Sequence, residues 1–208
     1  MVVSPPPPPS SSHRRTEPPG TAAASGKGAL VMTGHVTMLQ LGARILNNKL
    51  SFWALFRDPN NPAVTDVMRR AREKQLKVAL HFDDLRALLR ALKQGNLIWY
   101  APDQGKKTKM AEILPFFGAP AITNVATSRI AQMAGCQIIP YFARREPDDT
   151  YVLEAFPAWE NFPSGDHTAD ALRVNHFIEE QMRRAPEQYF GVHKRYKRRG
   201  EDYEDVYR

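Results

Sequence analysis

ALVMTGHVTMLQLGARILN, residues 29–47, opens on a run of apolar side chains, turns at Thr-Gly-His and continues with apolar residues at helical spacing. The run reads as a buried strand over 29–33, and the period behind it reads as a helix over 36–47. LSFWALF, residues 50–56, supplies a second strand, so the unit is β-α-β. Such a unit implies parallel pairing in a sheet covered by helices. His35 stands just past the first strand, where an open parallel sheet gathers its binding and reacting groups. Without further pattern, a helix-capping or core-edge histidine is the plainer reading of that position.

The alternation continues outward. NPAVTDVMRRAREKQL (61–76) offers Asn61 as N-cap and Pro62 in the first turn, with Val64, Val67, Met68 and Ala71 on one face. KVAL (77–80) reads as a strand, and Asp83 or Asp84 caps LRALLRALKQG, whose Leu85, Leu88, Leu89 and Leu92 form a stripe ending at Gly95. NLIWYA (96–101) is the next strand, TNVATSRIAQMAG (123–135) a helix started by Thr123, and CQIIPYFAR (136–144) and TYVLEAF (150–156) two further strands. DHTADALRVNHFIEEQMRRA (166–185) closes the core as a long amphipathic helix. The fold class is therefore α/β, a mostly parallel central sheet flanked by helices.

Composition sets the outer bounds. At 208 residues and 42% hydrophobic content the chain can bury one proper core. A net charge of +7 calls for an anionic partner: lipid headgroups, a phosphorylated glycolipid, an acidic carrier protein or nucleic acid. The single cysteine, Cys136, excludes an internal disulfide framework and a cysteine-rich zinc site. No window reaches the roughly 18 consecutive apolar residues of a membrane-spanning helix. Residues 1–28 hold seven of the 17 prolines and almost no large apolar side chains, so a disordered tail is expected there, ahead of a domain over 29–208. The proline run within it is a spacer first and a polyproline ligand second.

HKRYKRR (193–199) is a basic cluster suited to anionic lipid or an acidic carrier, or simply a solvated charge run. No helix-turn-helix, zinc-finger or RNA-binding signature accompanies it, so nucleic acid is not expected as a partner. HFDD (81–84) and DHTAD (166–170) fit no standard zinc spacing, and neither a metal nor a cofactor is assigned.

TGHVTMLQLGARIL, FRDPNNP, IWYAPDQG, PFFGAPAITNVATSRIAQMAGCQIIPYFARR and RAPEQYFGVHKRYK are similar, in order and spacing, to successive blocks of the bacterial lipid A biosynthesis acyltransferases. These lauroyl and myristoyl transferases belong to the glycerolipid-type acyltransferases. Their mark is a histidine followed, after four intervening residues, by Asp or Glu, and Gln40 stands at that place here. The resemblance implies transfer of an acyl group from acyl carrier protein to a hydroxyl of a lipid A precursor, at the cytoplasmic face of the inner membrane. Attachment would be peripheral, through anionic headgroups, with the proline-rich tail standing where relatives carry a membrane-anchoring segment.

The same resemblance implies roles for single residues. His35 would be the base that takes the hydroxyl proton, and Gln40 would hold the place of the carboxylate that orients its ring and stabilises the imidazolium. A neutral partner keeps an acceptor oxygen and loses the charge, which puts activity rather than fold in question. Arg57 would bind phosphate or carbonyl oxygens, and Asp103 would be a pocket residue and, after Gln40, the next candidate for the partner of His35, its plainer role being a turn after Pro102. Phe116 and Phe117 would line an acyl groove or pack the core, and Gly191 departs from an expected aromatic. A non-catalytic lipid- or carrier-binding relative and a basic nucleic-acid-binding module are the rival readings.

Overall fold

The computed structural model of the chain describes residues 26–47, 50–56, 61–75, 78–200 and 202–207. Of the expected tail, residues 1–25 lie outside that range.

The strands are β1 (Ala29–Met32), β2 (Trp53–Phe56), β3 (Val78–His81), β4 (Leu97–Tyr100), β5 (Ala111–Phe116), β6 (Ala119–Asn124), β7 (Gln137–Arg145) and β8 (Tyr151–Ala155). The helices are α1 (Leu39–Asn47), α2 (Pro62–Gln75), α3 (Leu85–Lys93), α4 (Ala126–Ala134) and α5 (His167–Arg184). Six strands form one sheet in the order β3-β2-β4-β1-β7-β8, all parallel to their neighbours except β8. β1 lies between β4 and β7, with Met32 paired to Tyr100 on one side and Pro140 on the other. No residue of β1 is more than 1% exposed. Burial on both faces explains why its sequence is an unbroken apolar run and does not alternate.

The helices pack by their apolar stripes. Leu88, Ala91 and Leu92 of α3 are buried, and Asp84 is its cap, accepting a hydrogen bond from the Ala87 amide at 2.9 Å. Leu85, at the start of the expected stripe, is exposed. α2 forms as expected from Asn61 onward, but Val64 and Val67 face solvent, because the helix lies by the edge strand β3 and no second layer covers that face. Val174, Ile178 and Met182 bury one face of α5.

Two expectations are corrected. Thr123 does not start a helix; it lies in β6, and α4 begins at Ala126, whose amide is received by the Asn124 side chain at 2.8 Å. The segment before it is a hairpin of β5 and β6, closed by the pair Phe116 and Ala119. Its two-residue turn has Phe117 at φ 50° and Gly118 at φ 75°, both left-handed as a type I′ turn requires. Phe-Gly in place of the usual Asn-Gly hides that turn in the sequence. Leu114 and Phe116 point inward and Ile113 and Pro115 outward, the period of a strand with one covered face.

Ser128, His167 and Asp170 tie α4 to α5. Ser128, only 1% exposed, donates its hydroxyl to Asp170 at 2.5 Å and meets His167 Nδ1 at 2.7 Å. With the hydroxyl proton committed to the carboxylate, the imidazole nitrogen is the donor, the reverse of nucleophile activation. This trio is a structural lock, and the hydroxyl is not poised to attack.

The domain also reaches into the stretch expected to be tail. Gly28 is buried, its carbonyl accepts from the Gln137 amide at 3.0 Å, and a Cβ at this position would sit 2.0 Å from the Leu92 carbonyl oxygen. Only glycine lets the chain enter β1 so close to the end of α3. Replacing it, as Gly28→Ala, should therefore cost about 1–3 kcal/mol of stability, the usual penalty of overpacking. A thermal melt reads this as a drop of roughly 2–12 °C for a chain of this size, and an unchanged melt would show that the backbone yields there.

Candidate active site

β1 and β4 are parallel neighbours in register, and three residues beyond the pair Met32 and Tyr100 stand His35 and Asp103. The ladder continues one step past the strands, where the Thr33 amide donates to the Tyr100 carbonyl at 2.9 Å, so both loops leave the sheet side by side. One carboxylate then receives the histidine twice. Asp103 Oδ2 accepts from the His35 backbone amide at 2.9 Å and Oδ1 lies 2.5 Å from ring Nδ1. The Asp103 side chain is 0% exposed and that of His35 is 25% exposed.

Burial alone would raise the Asp103 pKa, but the hydrogen bonds and positive charge of His35, with a smaller share from His193, bring it below the ordinary carboxylate value. An ionised carboxylate only accepts, so the proton between the two residues sits on Nδ1 and the neutral ring keeps its lone pair on Nε2. Among the described residues nothing hydrogen-bonds that nitrogen. The arrangement can therefore take a proton from a bound hydroxyl and compensate the imidazolium that results.

Gln40 is not in this arrangement. It is an exposed residue of α1, while His35 precedes that helix in extended chain: Val36 bridges Tyr189, the Thr37 amide donates to Gln188 O at 2.8 Å, and the Phe190 amide donates to His35 O at 2.9 Å. A turn over 36–39, in which the Leu39 amide donates to Val36 O at 2.9 Å, leads into α1, and no hydrogen bond among the described residues joins Gln40 to His35. The ring's partner comes from the neighbouring strand.

The other expected site residues separate. Arg57 lies outside the described residues. Phe116 is 1% exposed, in the core beside Tyr189 at a ring distance of 6.4 Å, so it lines no open groove. Phe117 is 40% exposed at the hairpin tip, its ring capped by the Arg183 guanidinium at 4.9 Å.

Sequence reasoning missed the segment that closes the site. Tyr189 bridges Val36, and its hydroxyl meets His193 Nε2 at 3.1 Å. His193 Nδ1 lies 2.5 Å from the Phe190 carbonyl, which can only accept; that nitrogen carries the proton, and Tyr189 donates to the other. Desolvation holds the His193 pKa below that of an ordinary histidine, despite the bond to Phe190 and the charge of Asp103. The basic cluster also divides: Lys194, Lys197 and Arg198 are exposed, but Arg195 is 4% exposed. The aromatics Tyr189, Phe190 and Tyr196 that flank His193, Lys194 and Arg195 are the available signal, and a count of charges obscures it.

The geometry agrees with a wider comparison. The sequence profile of the bacterial lipid A biosynthesis acyltransferases matches residues 18–198. The chain belongs to this family. It is 32% identical over 183 residues to the lipid A biosynthesis palmitoleoyltransferase of Escherichia coli K12, covering 86% of this chain and 58% of that protein. Similarity to the lauroyltransferase of the same organism is 32% over 180 residues, covering 86% of this chain and 59% of the relative. To its myristoyltransferase the identity is 24% over 149 residues, covering 70% and 46%. The chain thus spans 46–59% of the length of these curated relatives. In this member of the lipid A acyltransferase family, the carboxylate bonded to the block histidine comes from the PDQG loop.

Two depressed pKa values set the pH response of the fold. Unfolded histidine binds its proton below about 6.5 and unfolded aspartate below about 3.9, and both folded groups titrate lower. In each interval between folded and unfolded values the unfolded chain holds more protons, so stability falls as pH falls. Melting temperature should decline from about pH 6.5 downward through His193 and again below about pH 4 through Asp103. The lower decline should flatten in Asp103→Asn, and a variant that keeps it would assign it to other carboxylates.

Proposed function

We propose that this chain is an acyltransferase of lipid A assembly, moving a fatty acyl group from the thioester of an acyl carrier protein to a hydroxyl of a lipid A precursor. The observation that carries the reading is the His35 and Asp103 pair, fixed by two hydrogen bonds at 2.9 and 2.5 Å at the mouth of a parallel sheet. Membership of the family supplies the substrate class.

The steps follow from the atoms present. His35 Nε2 takes the proton of the acceptor hydroxyl as its oxygen attacks the thioester carbonyl, and negative charge moves to the carbonyl oxygen. Asp103 stays ionised and stabilises the imidazolium through Nδ1–H. When the tetrahedral adduct collapses, the C–S bond breaks and the sulfur leaves with the proton that His35 gives back. The products are the ester and the free carrier thiol, so no redox partner is needed.

The surface supports work at an anionic interface. Exposed Lys106, Lys107 and Lys109 follow directly on the Asp103 loop, and exposed Lys194, Lys197 and Arg198 lie in the segment that closes the site. Phe117, Phe190 and Val192 are exposed apolar residues of the hairpin tip and that same segment. Among the described residues no helix is long and apolar enough to cross a membrane. We read this face as peripheral contact with the cytoplasmic leaflet of the inner membrane, where each basic residue near the surface adds about 1 kcal/mol.

Acyl transfer from acyl carrier protein to a lipid A precursor tests the reading. His35→Ala should abolish it, and Asp103→Asn should lower turnover ~10²–10⁴-fold by favouring the wrong tautomer. Gln40→Glu should leave the rate within about threefold, since an exposed carboxylate remote from the ring adds little. A hundredfold rise in that variant would return the partner's role to position 40.

Neutralising Lys106, Lys107, Lys194, Lys197 and Arg198 together should weaken binding to vesicles containing anionic lipid, most clearly at low salt. Undiminished vesicle binding would remove the interfacial reading while leaving the chemistry in place.

A further inference from the structure

Arg195 carries a charge into the interior without an ion-pair partner. It is 4% exposed, and none of the ion pairs among the described residues includes it. Burying an unpaired cation is costly, so its surroundings need to justify it. One guanidinium NH2 donates to the Ile122 carbonyl of β6 and the other to Thr123 Oγ1 at 3.0 Å. The planar head lies over the Phe116 ring, 4.7 Å from its centroid, while Nε is buried without a partner. Thr123 Oγ1 in turn accepts from the Asn175 amide of α5 at 3.2 Å and donates to Ala121 O at 3.2 Å. Arg195 thus fastens the C-terminal segment to the hairpin and, through Thr123, to α5, alongside Tyr196, whose hydroxyl donates to Phe116 O at 2.9 Å.

The same head touches the loop that carries Asp103. A Cβ on Gly105 would lie 2.9 Å from Arg195 Nη1 and 2.5 Å from Ile122 O. The backbone two residues after Asp103 therefore rests directly on the contact between the guanidinium and β6. The charged and titratable groups facing Asp103 are His35, His193 and Arg195, with the hydroxyls of Tyr100 and Tyr189. Asp103 is the carboxylate whose field favours the arginine's charge. Desolvation lowers the Arg195 pKa, and the field of Asp103 opposes that shift without an ion pair between them.

We infer that Arg195 is a positioning residue of the acyl-transfer site: it grips β6, seats Gly105 and so holds the Asp103 loop against His35. The role rests on the proposed function for its catalytic meaning, but its structural consequence can be measured without turnover. Lysine keeps the charge and loses the planar fork that reaches two acceptors at once. Methionine fills similar space with neither.

The test uses the full chain as wild type, Arg195→Met, Arg195→Lys and a control, Arg199→Met. Arg199 lies in the same segment and donates to Pro120 O and Glu204 O, away from the Asp103 loop. Proton NMR follows the low-field resonance of His35 Nδ1–H, assigned by its loss in Asp103→Asn, and acyl transfer gives kcat and KM. In Arg195→Met the resonance should move upfield or broaden away, and kcat should fall at least about tenfold with KM changed far less, as expected when a reacting pair is misplaced by a fraction of an ångström. Arg195→Lys should fall between, and Arg199→Met should match the wild type in both readouts.

A folded Arg195→Met with the wild-type resonance and kcat would overturn the inference and leave the arginine as packing. If that variant does not fold, Arg195→Lys decides: wild-type behaviour overturns the role of the fork, and a weakened resonance with lowered kcat supports it. A wild-type chain that shows the arginine-dependent resonance but no acyl transfer would refute the proposed function alone. Acyl transfer indifferent to Arg195 would refute the positioning role alone.

Discussion

The parallel pairing of β1 with β4 is the constraint on which the rest depends. Parallel strands in register end together, so the residues at equal distance past Met32 and Tyr100 meet, and those residues are His35 and Asp103. The two hydrogen bonds that one carboxylate accepts from the backbone and ring of one histidine fix a tautomer as well as a distance. They also supply the charge that makes burying Asp103 tolerable. Were β4 shifted by one residue relative to β1, the carboxylate would point to the other face, because side chains alternate along extended chain.

A sheet edge alone does not exclude water or hold a loop still. That work falls to the chain after α5, which returns across the site and pairs with residues 35–37. Tyr189 and His193 share a proton in a fixed sense there, and Arg195 reaches under them to β6. The segment reads as a basic tail in composition, yet part of it is internal: Lys194, Lys197 and Arg198 are exposed while Arg195 is a core residue. Arginine suits that split, since its guanidinium is weakly hydrated, stacks on a ring and satisfies two acceptors at once.

Much of the fold was legible. β1, β4 and β7 are buried on both faces and show it as apolar runs, and α3 and α5 announce themselves by caps and stripes. What was not legible followed from tertiary context. The hairpin lacks the Asn-Gly that marks a type I′ turn, so the end of its second strand, Thr123 and Asn124, reads as the start of a helix. Arg195 differs from Arg198 only in where the chain runs, which no local pattern encodes. At the site, position alone reads His35 as a capping or core-edge histidine and only the block resemblance marks it as the base; Asp103 reads as a pocket residue and stands second to Gln40 as the histidine's partner, because the contact between them is made by strand pairing and not by spacing.

Gln40 shows why this distinction matters for the chemistry. A histidine and a carboxylate separated by four residues can cooperate only if the chain between them turns at once into a helix. Here residues 35–37 are committed to the C-terminal segment by a bridge and two amide bonds, and α1 begins only at Leu39. Gln40 is exposed, and none of the hydrogen bonds made by His35 among the described residues includes it. The carboxylate hydrogen-bonded to His35 is buried, in the loop after the neighbouring strand and two residues before Gly105, where an added Cβ would meet Ile122 O of β6. Neutral glutamine at position 40 is therefore compatible with a charged partner for His35, which the structure supplies in Asp103.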